Sequence, residues 1–519
     1  MRKLYALRWI LVPVWIASWL ISAPYAVLDD ALIHLRYASY LHDFHRITYD
    51  GVHFTYGTSS LGYVALLAFL RGFSVSPALP KIVSTIAYLA VIFVLFSLER
   101  RFERRSAPYA LWAGLMIASL TPMSIRWLTD GMETSLVALG AVVLALATEK
   151  AAKSRSIGIS SFIGLAALGC LLVLLRVELI LLVSLATITI WFARWEQRKR
   201  LNVRLLAEGA PIFLGAILGA TCVHLVFGQL LPDTALAKER GFSLSPLLEF
   251  IHVSVSAFGF GVGLVLLTLI SGILVMREVI RTSVRGSTLL ALTCANACLP
   301  IELALSVMRG QSVQGFRYFV WPVYFTTLFN VLQWAYLRKT GSPPDNTRSP
   351  ARLLLYVYFA IMLCLILPDS HYAAKAMRGR SQSFEAMWRA GLDRYHNGTL
   401  IAADIGWIGY FTGANICDLN GLVGGRDFAM LSHQERVRRC AESHPQILFL
   451  NDLQLRDISP YLPLQDWTVV QDFPLPNVNS IDRHYLMVPR SEHALSLVPP
   501  QQEPLTSNLS MFPTGHRRP

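Results

Sequence analysis

Apolar runs long enough to cross a membrane recur through the first 367 residues, and polar, turn-rich sequence follows them. The first run, Trp9 to Val27 (WILVPVWIASWLISAPYAV), carries no charge. At about 1.5 Å of rise per residue it can cross a hydrocarbon core of about 30 Å. It is too long for the apolar part of a signal peptide and has no small-residue cleavage site, so it is expected to stay as a helix. Further runs occupy 80–98, 107–125, 134–148, 157–175, 178–193, 209–228, 255–276, 287–307, 318–337 and 352–367. The pattern predicts a polytopic α-helical membrane protein of about 11 transmembrane helices. Between the first two runs, Ala31 to Leu41 has apolar residues at helical spacing and is expected to lie along the membrane surface. Gly62–Phe73 is too short to span.

The pattern changes near Pro368. Thr399–Ala403, Gln446–Leu450 and Tyr485–Val488 read as strands, Ser432–Ser443 as a helix, and Asp404-Ile405-Gly406-Trp407 as a strand-to-helix turn. Alternating strand and helix signals predict a small α/β domain. The expected division is a transmembrane catalytic domain over 1–367, an exoplasmic α/β domain over 368–494 and a disordered tail over 495–519.

Composition agrees with the membrane reading: 54% of residues are hydrophobic and only 15% charged, against about 25% charged in soluble chains. Mean hydropathy is +0.46. The net charge of +13 would suit a nucleic-acid partner, but its distribution excludes one. Basic clusters fall in alternate gaps, at Arg100–Arg105, Lys150–Arg155, Arg194–Arg204, Arg277–Arg285 and Arg338–Arg348. That asymmetry places the N-terminus in the cytoplasm and, with eleven spans, the C-terminal domain outside. Cys417 and Cys440 then face an oxidising compartment, and the sequence leaves their pairing open.

Candidate chemistry concentrates in the outer loops. Asp29-Asp30 follows the first span directly, and two adjacent carboxylates at a membrane edge are costly unless something uses them. On a helix Arg36 lies two turns from Asp29 on the same face. The other outer loops carry Arg126 and Glu133, Arg176 and Glu178, Asp233 and Lys238, and Arg317 and Tyr318. Each is weak alone, since a single Arg at a helix end often snorkels. Adjacent carboxylates also suit Mg²⁺, Mn²⁺ or Ca²⁺, whereas no His/Cys cluster of the zinc type is present.

With these residues in view, the chain resembles a family. D-D-A-x-I-x-x-R-Y-A over Asp29–Ala38 and G-x-S-x-L over Gly57–Leu61 look like the first outer loop of bacterial GT-C glycosyltransferases. So do G-M-E-T at 131–134, P-D-T-A-x-A-K at 232–238 and R-Y-x-x-x-P at 317–322. The nearest group is that of the terminal arabinofuranosyltransferases, with aminoarabinose and protein mannosyltransferases more distant. D-x-G at 404–406 and D-x-N-G-L at 418–422 look like the exoplasmic domain that follows in this group. Two departures concern acceptor and sugar: Asp43-Phe44-His45 replaces the usual Gly-x-Gly, and Ser60 the usual proline.

The resemblance implies an inner-membrane enzyme moving a hexose or pentose from a polyprenyl-phosphate-linked donor to an envelope glycan, lipid or protein acceptor. It implies an inverting transfer. Asp29 corresponds to the family's leading acidic residue and is expected to be the base, with Asp30 positioning it, holding a metal ion or holding the acceptor. Arg36, Arg126, Arg176, Lys238 and Arg317 are the expected phosphate cations, and Tyr37, Tyr56 and Tyr318 the sugar-pocket aromatics. Glu133, Glu178 and Asp233 complete the expected substrate-binding set. A polysaccharide ligase or polymerase is the nearest other class, disfavoured because no large Arg/His-rich loop interrupts the spans. A lipid or solute transporter is disfavoured because the spans carry few ionisable residues.

Overall fold

The structure is a computed structural model that describes Ile16 and residues 27–102, 107–154, 157–198, 203–238, 241–256, 258–281, 286–309, 318–341, 350–390, 392–396, 398–476 and 481–493. The first apolar run apart from Ile16 and Val27, residue 317 and the C-terminal tail lie outside these residues.

Among the described residues each later apolar run is mainly helical, with breaks between Ala107–Ser119 and Pro122–Leu128 and between Gly286–Asn296 and Cys298–Arg309. Four helices, Leu79–Arg101, Thr134–Lys153, Glu208–Phe227 and Gly261–Ile280, are long and apolar enough to cross a membrane. Leu61–Arg71, Pro108–Ser119, Ile159–Leu175 and Leu179–Trp195 are apolar but shorter. The exposed side of these helices explains their solvent. On Leu79–Ser97, Val83, Ala87, Val91 and Leu95 are buried, while Ile82, Ile86, Leu89 and Phe93 form an exposed stripe of equally apolar residues. A helix apolar on both faces is matched to lipid rather than water. The protein is therefore a membrane protein.

Helix contacts rely on small residues where backbones meet. The helices Ile159–Leu175 and Val203–Phe227 approach so closely that a Cβ at Gly215 would lie 1.8 Å from the Ala166 carbonyl oxygen, and one at Gly169 2.0 Å from that of Ile212. Without a hydrophobic driving force between spans, such close packing is a main source of association.

The helix Asp29–Phe44 opens with two carboxylates in its first turn and ends at His45, whose φ is 55°. It differs from the expected surface helix: every residue from Ala31 to Ala38 is buried. The C-terminal domain covers the face that the sequence left for water.

That domain is a five-stranded sheet of order β2-β1-β3-β5-β4, with β1 Thr399–Ala402, β2 Asn415–Asp418, β3 Ile447–Asn451, β4 Trp467–Pro476 and β5 Ile481–Pro489. β1 pairs in parallel with β2 and β3, and β5 runs antiparallel to β3 and β4. Ser432 caps the helix His433–Glu442 by accepting from the Glu435 N–H. Cys417 and Cys440 form a disulfide with Cα atoms 5.5 Å apart, tying β2 to that helix. Composition changes at Pro368, yet one helix, Pro350–Arg389, runs through that position.

Candidate functional site

A cavity of about 830 Å³ opens between the helix Asp29–Phe44 and the sheet domain. Asp29, Asp30 and Lys238 line it from the membrane domain. Asp404 and Asn420 line it from the loops that follow β1 and β2, and His433 and Arg436 from the helix His433–Glu442. The carboxyl ends of parallel strands, beside the point where strand order reverses, are where open α/β sheets leave room for ligands.

Asp29 is the hinge between the two parts. Its Oδ2 accepts the Gly406 N–H at 2.9 Å and its Oδ1 accepts the Trp407 N–H at 2.6 Å. These are the first N–H groups of the helix Gly406–Thr412, which have no partner inside that helix. Trp407 Nε1 also donates to the Val27 carbonyl at 2.9 Å, fixing the chain just before Asp29. The helix can come this close only with glycine at 406, where a Cβ would sit 1.8 Å from the Asp29 carbonyl oxygen. Burial, then the neighbouring Asp404 and Asp30 carboxylates, push Asp29 up to about 8, against the pull of the two N–H groups. A carboxylate poised near neutral pH is suited to take a proton.

The loop after β2 is held by a second buried carboxylate. Asp418 accepts N–H groups from Asn420 at 2.8 Å, Leu422 at 2.5 Å and Val423 at 3.2 Å. Burial raises it to about 6 despite these bonds. Asn420 Nδ2 donates to the Ala403 carbonyl at 2.9 Å, so the loops after β1 and β2 present their polar groups together.

Of the expected residues that the structure describes, only Asp29, Asp30 and Lys238 line this cavity. Arg36 is buried, donating from Nη1 to the Gly409 carbonyl at 2.5 Å and from Nη2 to that of Ala414 at 2.7 Å. It clasps the end of the helix that Asp29 begins, and its guanidinium lies 4.3 Å from the Tyr49 ring centre. Tyr37 is fully buried, bonded through its hydroxyl to Thr55 at 2.6 Å and accepting the Gly57 N–H. Both therefore hold the fold rather than face the cavity: Arg36 is turned toward the C-terminal domain, and Tyr37 toward the segment that follows its own helix.

A separate buried cluster gathers most of the others. Glu133 meets Arg176 Nη1 at 3.2 Å and His34 Nε2 at 3.4 Å. Arg176 also pairs with Glu178 and lies 4.4 Å from the Tyr318 ring centre. His34 is thus a bonding neighbour, with its Nδ1 2.7 Å from Thr58 Oγ1. Arg126 is buried against Met123 and Trp127. The Asp233 N–H donates to the Tyr56 carbonyl at 2.8 Å, and the Asp233 carboxylate accepts the Tyr56 N–H at 2.9 Å and Gln229 Nε2 at 2.7 Å. Tyr56 stacks on Phe227 with ring centres 3.8 Å apart. Arg317 lies outside the described residues.

The sequence reading did not assign Asp404, Asn420 or His433 to the site. The motifs D-x-G and D-x-N-G-L marked the first two positions without showing what they face. As for a metal ion, both Asp29 oxygens are committed to backbone N–H groups. Among the described residues no three His, Cys, Asp or Glu side chains are placed to hold one.

With this geometry in place, solved structures supply the architecture. The chain is similar to ArnT from Cupriavidus metallidurans in its crystal structure bound to undecaprenyl phosphate, with 11% identity and a TM-score of 0.52 over 93% of this chain and 97% of that one. The fold is of the GT-C type. The archaeal oligosaccharyltransferase AglB from Archaeoglobus fulgidus, in complex with an inhibitory peptide and a dolichol-phosphate, also shows similarity, at 13% identity and a TM-score of 0.46 over 89% of this chain and 71% of that one. Residues 373–492 match a family model described as a domain of unknown function (DUF8728). No curated protein matches the sequence.

Proposed function

We propose that the protein is an integral membrane glycosyltransferase that moves a sugar from a polyprenyl-phosphate donor to a hydroxyl of an envelope acceptor. The observation that carries this reading is Asp29: a carboxylate raised to about 8, facing a cavity, on a fold shared with a structure that holds undecaprenyl phosphate. The acceptor oxygen attacks the anomeric carbon as its proton passes to Asp29. The bond from that carbon to the phosphate oxygen breaks, with inversion. The polyprenyl phosphate leaves as a stable anion, so it needs a cation rather than an acid. Lys238 is the cation in the cavity wall suited to it.

Arg36 is not retained as a phosphate ligand, since backbone carbonyls already take its donors. The arabinofuranosyl assignment rests on the D-D-A-x-I-x-x-R-Y-A motif and its companions, and pentose transfer follows from it. The alternation of basic loops supports an inner-membrane protein with its N-terminus in the cytoplasm and residues 368–494 outside. The test is direct: purified protein in nanodiscs, given a polyprenyl-phosphate pentose and a set of hydroxylated acceptors, should form a glycoside with free polyprenyl phosphate. Intact donor after prolonged incubation, with a folded protein, would refute the reading.

A further inference from the structure

The loop after β1 carries a carboxylate that the transfer step does not use. Asp404 lines the cavity with Asp29 and Asp30, and its side chain is 47% exposed. Its Oδ2 is held at 2.7 Å by His484 Nε2. β1 and β5 are not neighbours, because β3 lies between them. Asp404 thus reaches across the end of β3, at the place where the loops leaving β1 and β3 diverge.

His484 is built to hold that carboxylate. It is 2% exposed, and its ring stacks on Phe449 with centres 5.1 Å apart. Its Nδ1 is buried without a hydrogen-bond partner among the described residues. A carboxylate only accepts, so Nε2 carries the hydrogen and donates it. The cost of the bare Nδ1 is tolerated for a ring that fixes one side chain at the cavity wall.

Charge decides what Asp404 can meet. Asp404 lies close enough to Asp29 for the two carboxylates to repel; with Asp30 they make a part of the lining that repels phosphate and accepts hydroxyl donors, while Glu249 adds a further carboxylate and Lys238 and Arg436 supply the opposite sign. We propose that Asp404, positioned by His484, binds a hydroxyl of the acceptor next to the one that attacks, so that the enzyme selects acceptors carrying a vicinal diol. This rests on the glycosyltransferase reading and adds to it the chemistry of the acceptor. A single carboxylate oxygen then accepts one acceptor hydroxyl, while Asp29 takes the proton of its neighbour.

The test uses the full-length protein, a polyprenyl-phosphate pentose at saturation, and a panel of octyl furanosides and pyranosides with their mono-deoxy analogues. In the wild type, one deoxy analogue of the accepted glycoside should raise the acceptor KM by roughly 10- to 100-fold, the usual effect of losing a hydrogen bond to a charged group. Asp404→Asn should raise KM for the parent glycoside to a similar degree, change kcat by less than about threefold, and show no further penalty with that deoxy analogue. His484→Gln, which keeps a donor but loses the fixed ring, should fall between the two proteins. Wild-type transfer combined with an unchanged acceptor KM in Asp404→Asn would overturn this inference alone. So would an Asp404→Asn protein that loses kcat and keeps KM. A wild type that transfers to no hydroxylated acceptor would instead overturn the glycosyltransferase reading, and this inference with it.

Discussion

Replacing Asp29 by Asn separates its chemical role from its structural one. The amide keeps the size of the carboxylate but has one acceptor oxygen in place of two. In the wild type, both oxygens accept N–H groups, from Gly406 at 2.9 Å and Trp407 at 2.6 Å. In Asp29→Asn the amide NH₂ must face one of these donors, leaving it unsatisfied. That costs about 1–3 kcal/mol for a buried donor, offset in part because the repulsion from Asp404 and Asp30 disappears. A fall in melting temperature of a few degrees is therefore expected, with the protein still folded. Transfer should fall much further, by roughly 10²–10⁴-fold, since the acceptor proton has lost its base. Initial rates of glycoside formation in nanodiscs, beside thermal unfolding of the same preparations, measure both. A variant that transfers within tenfold of the wild type would refute the assignment, and Asp29 would then be only the cap of the Gly406–Thr412 helix.

Three further outcomes are expected. Because the base acts in its ionised form and Asp29 is raised to about 8, transfer should climb with pH from 6 to 9, with its midpoint near the upper part of that range; a flat profile there would exclude Asp29 as the titrating base. Arg36→Lys loses the two-carbonyl clasp and should lower stability by about 1–3 kcal/mol, while leaving donor KM within threefold; a tenfold rise in donor KM at unchanged stability would restore Arg36 to the phosphate site. Gly406→Ala places a Cβ against backbone at 1.8 Å, so it should dislodge the helix from Asp29 and lose transfer at least as fully as Asp29→Asn; a variant with wild-type rate and melting temperature would show that this close approach is not needed.

Much of the fold is local information, and the sequence carries it. Apolar runs at spanning length become helices because lipid leaves the backbone no other way to satisfy its hydrogen bonds. The strands near 399, 447 and 485 were marked by short apolar runs between turn residues, and the Ser432 cap by its position before a helical pattern. β2 and β4 were not legible. β2 is four residues with only its last position buried, and β4 has no uniform alternation for a half-buried face to display, with a register shift between Val469 and Gln471.

The site divides in the same way. Asp29 and Asp30, which an acidic pair among charged outer loops marks as candidates, do line the cavity. Arg36 and Tyr37, in the same motif, are expected to face substrate, yet both are buried, Arg36 against the C-terminal domain and Tyr37 against Thr55 and Gly57. Helical spacing fixes which residues share a face, but it does not say what will cover that face. Only the docking of a domain nearly 380 positions away in the chain turned Arg36 into a clasp, gave Asp29 its two N–H partners and set Asp404 beside it. The sequence alone determines where charge meets the membrane edge. Which of those charges remain open to a ligand depends on long-range packing, because burial is a property of the neighbours and not of the residue.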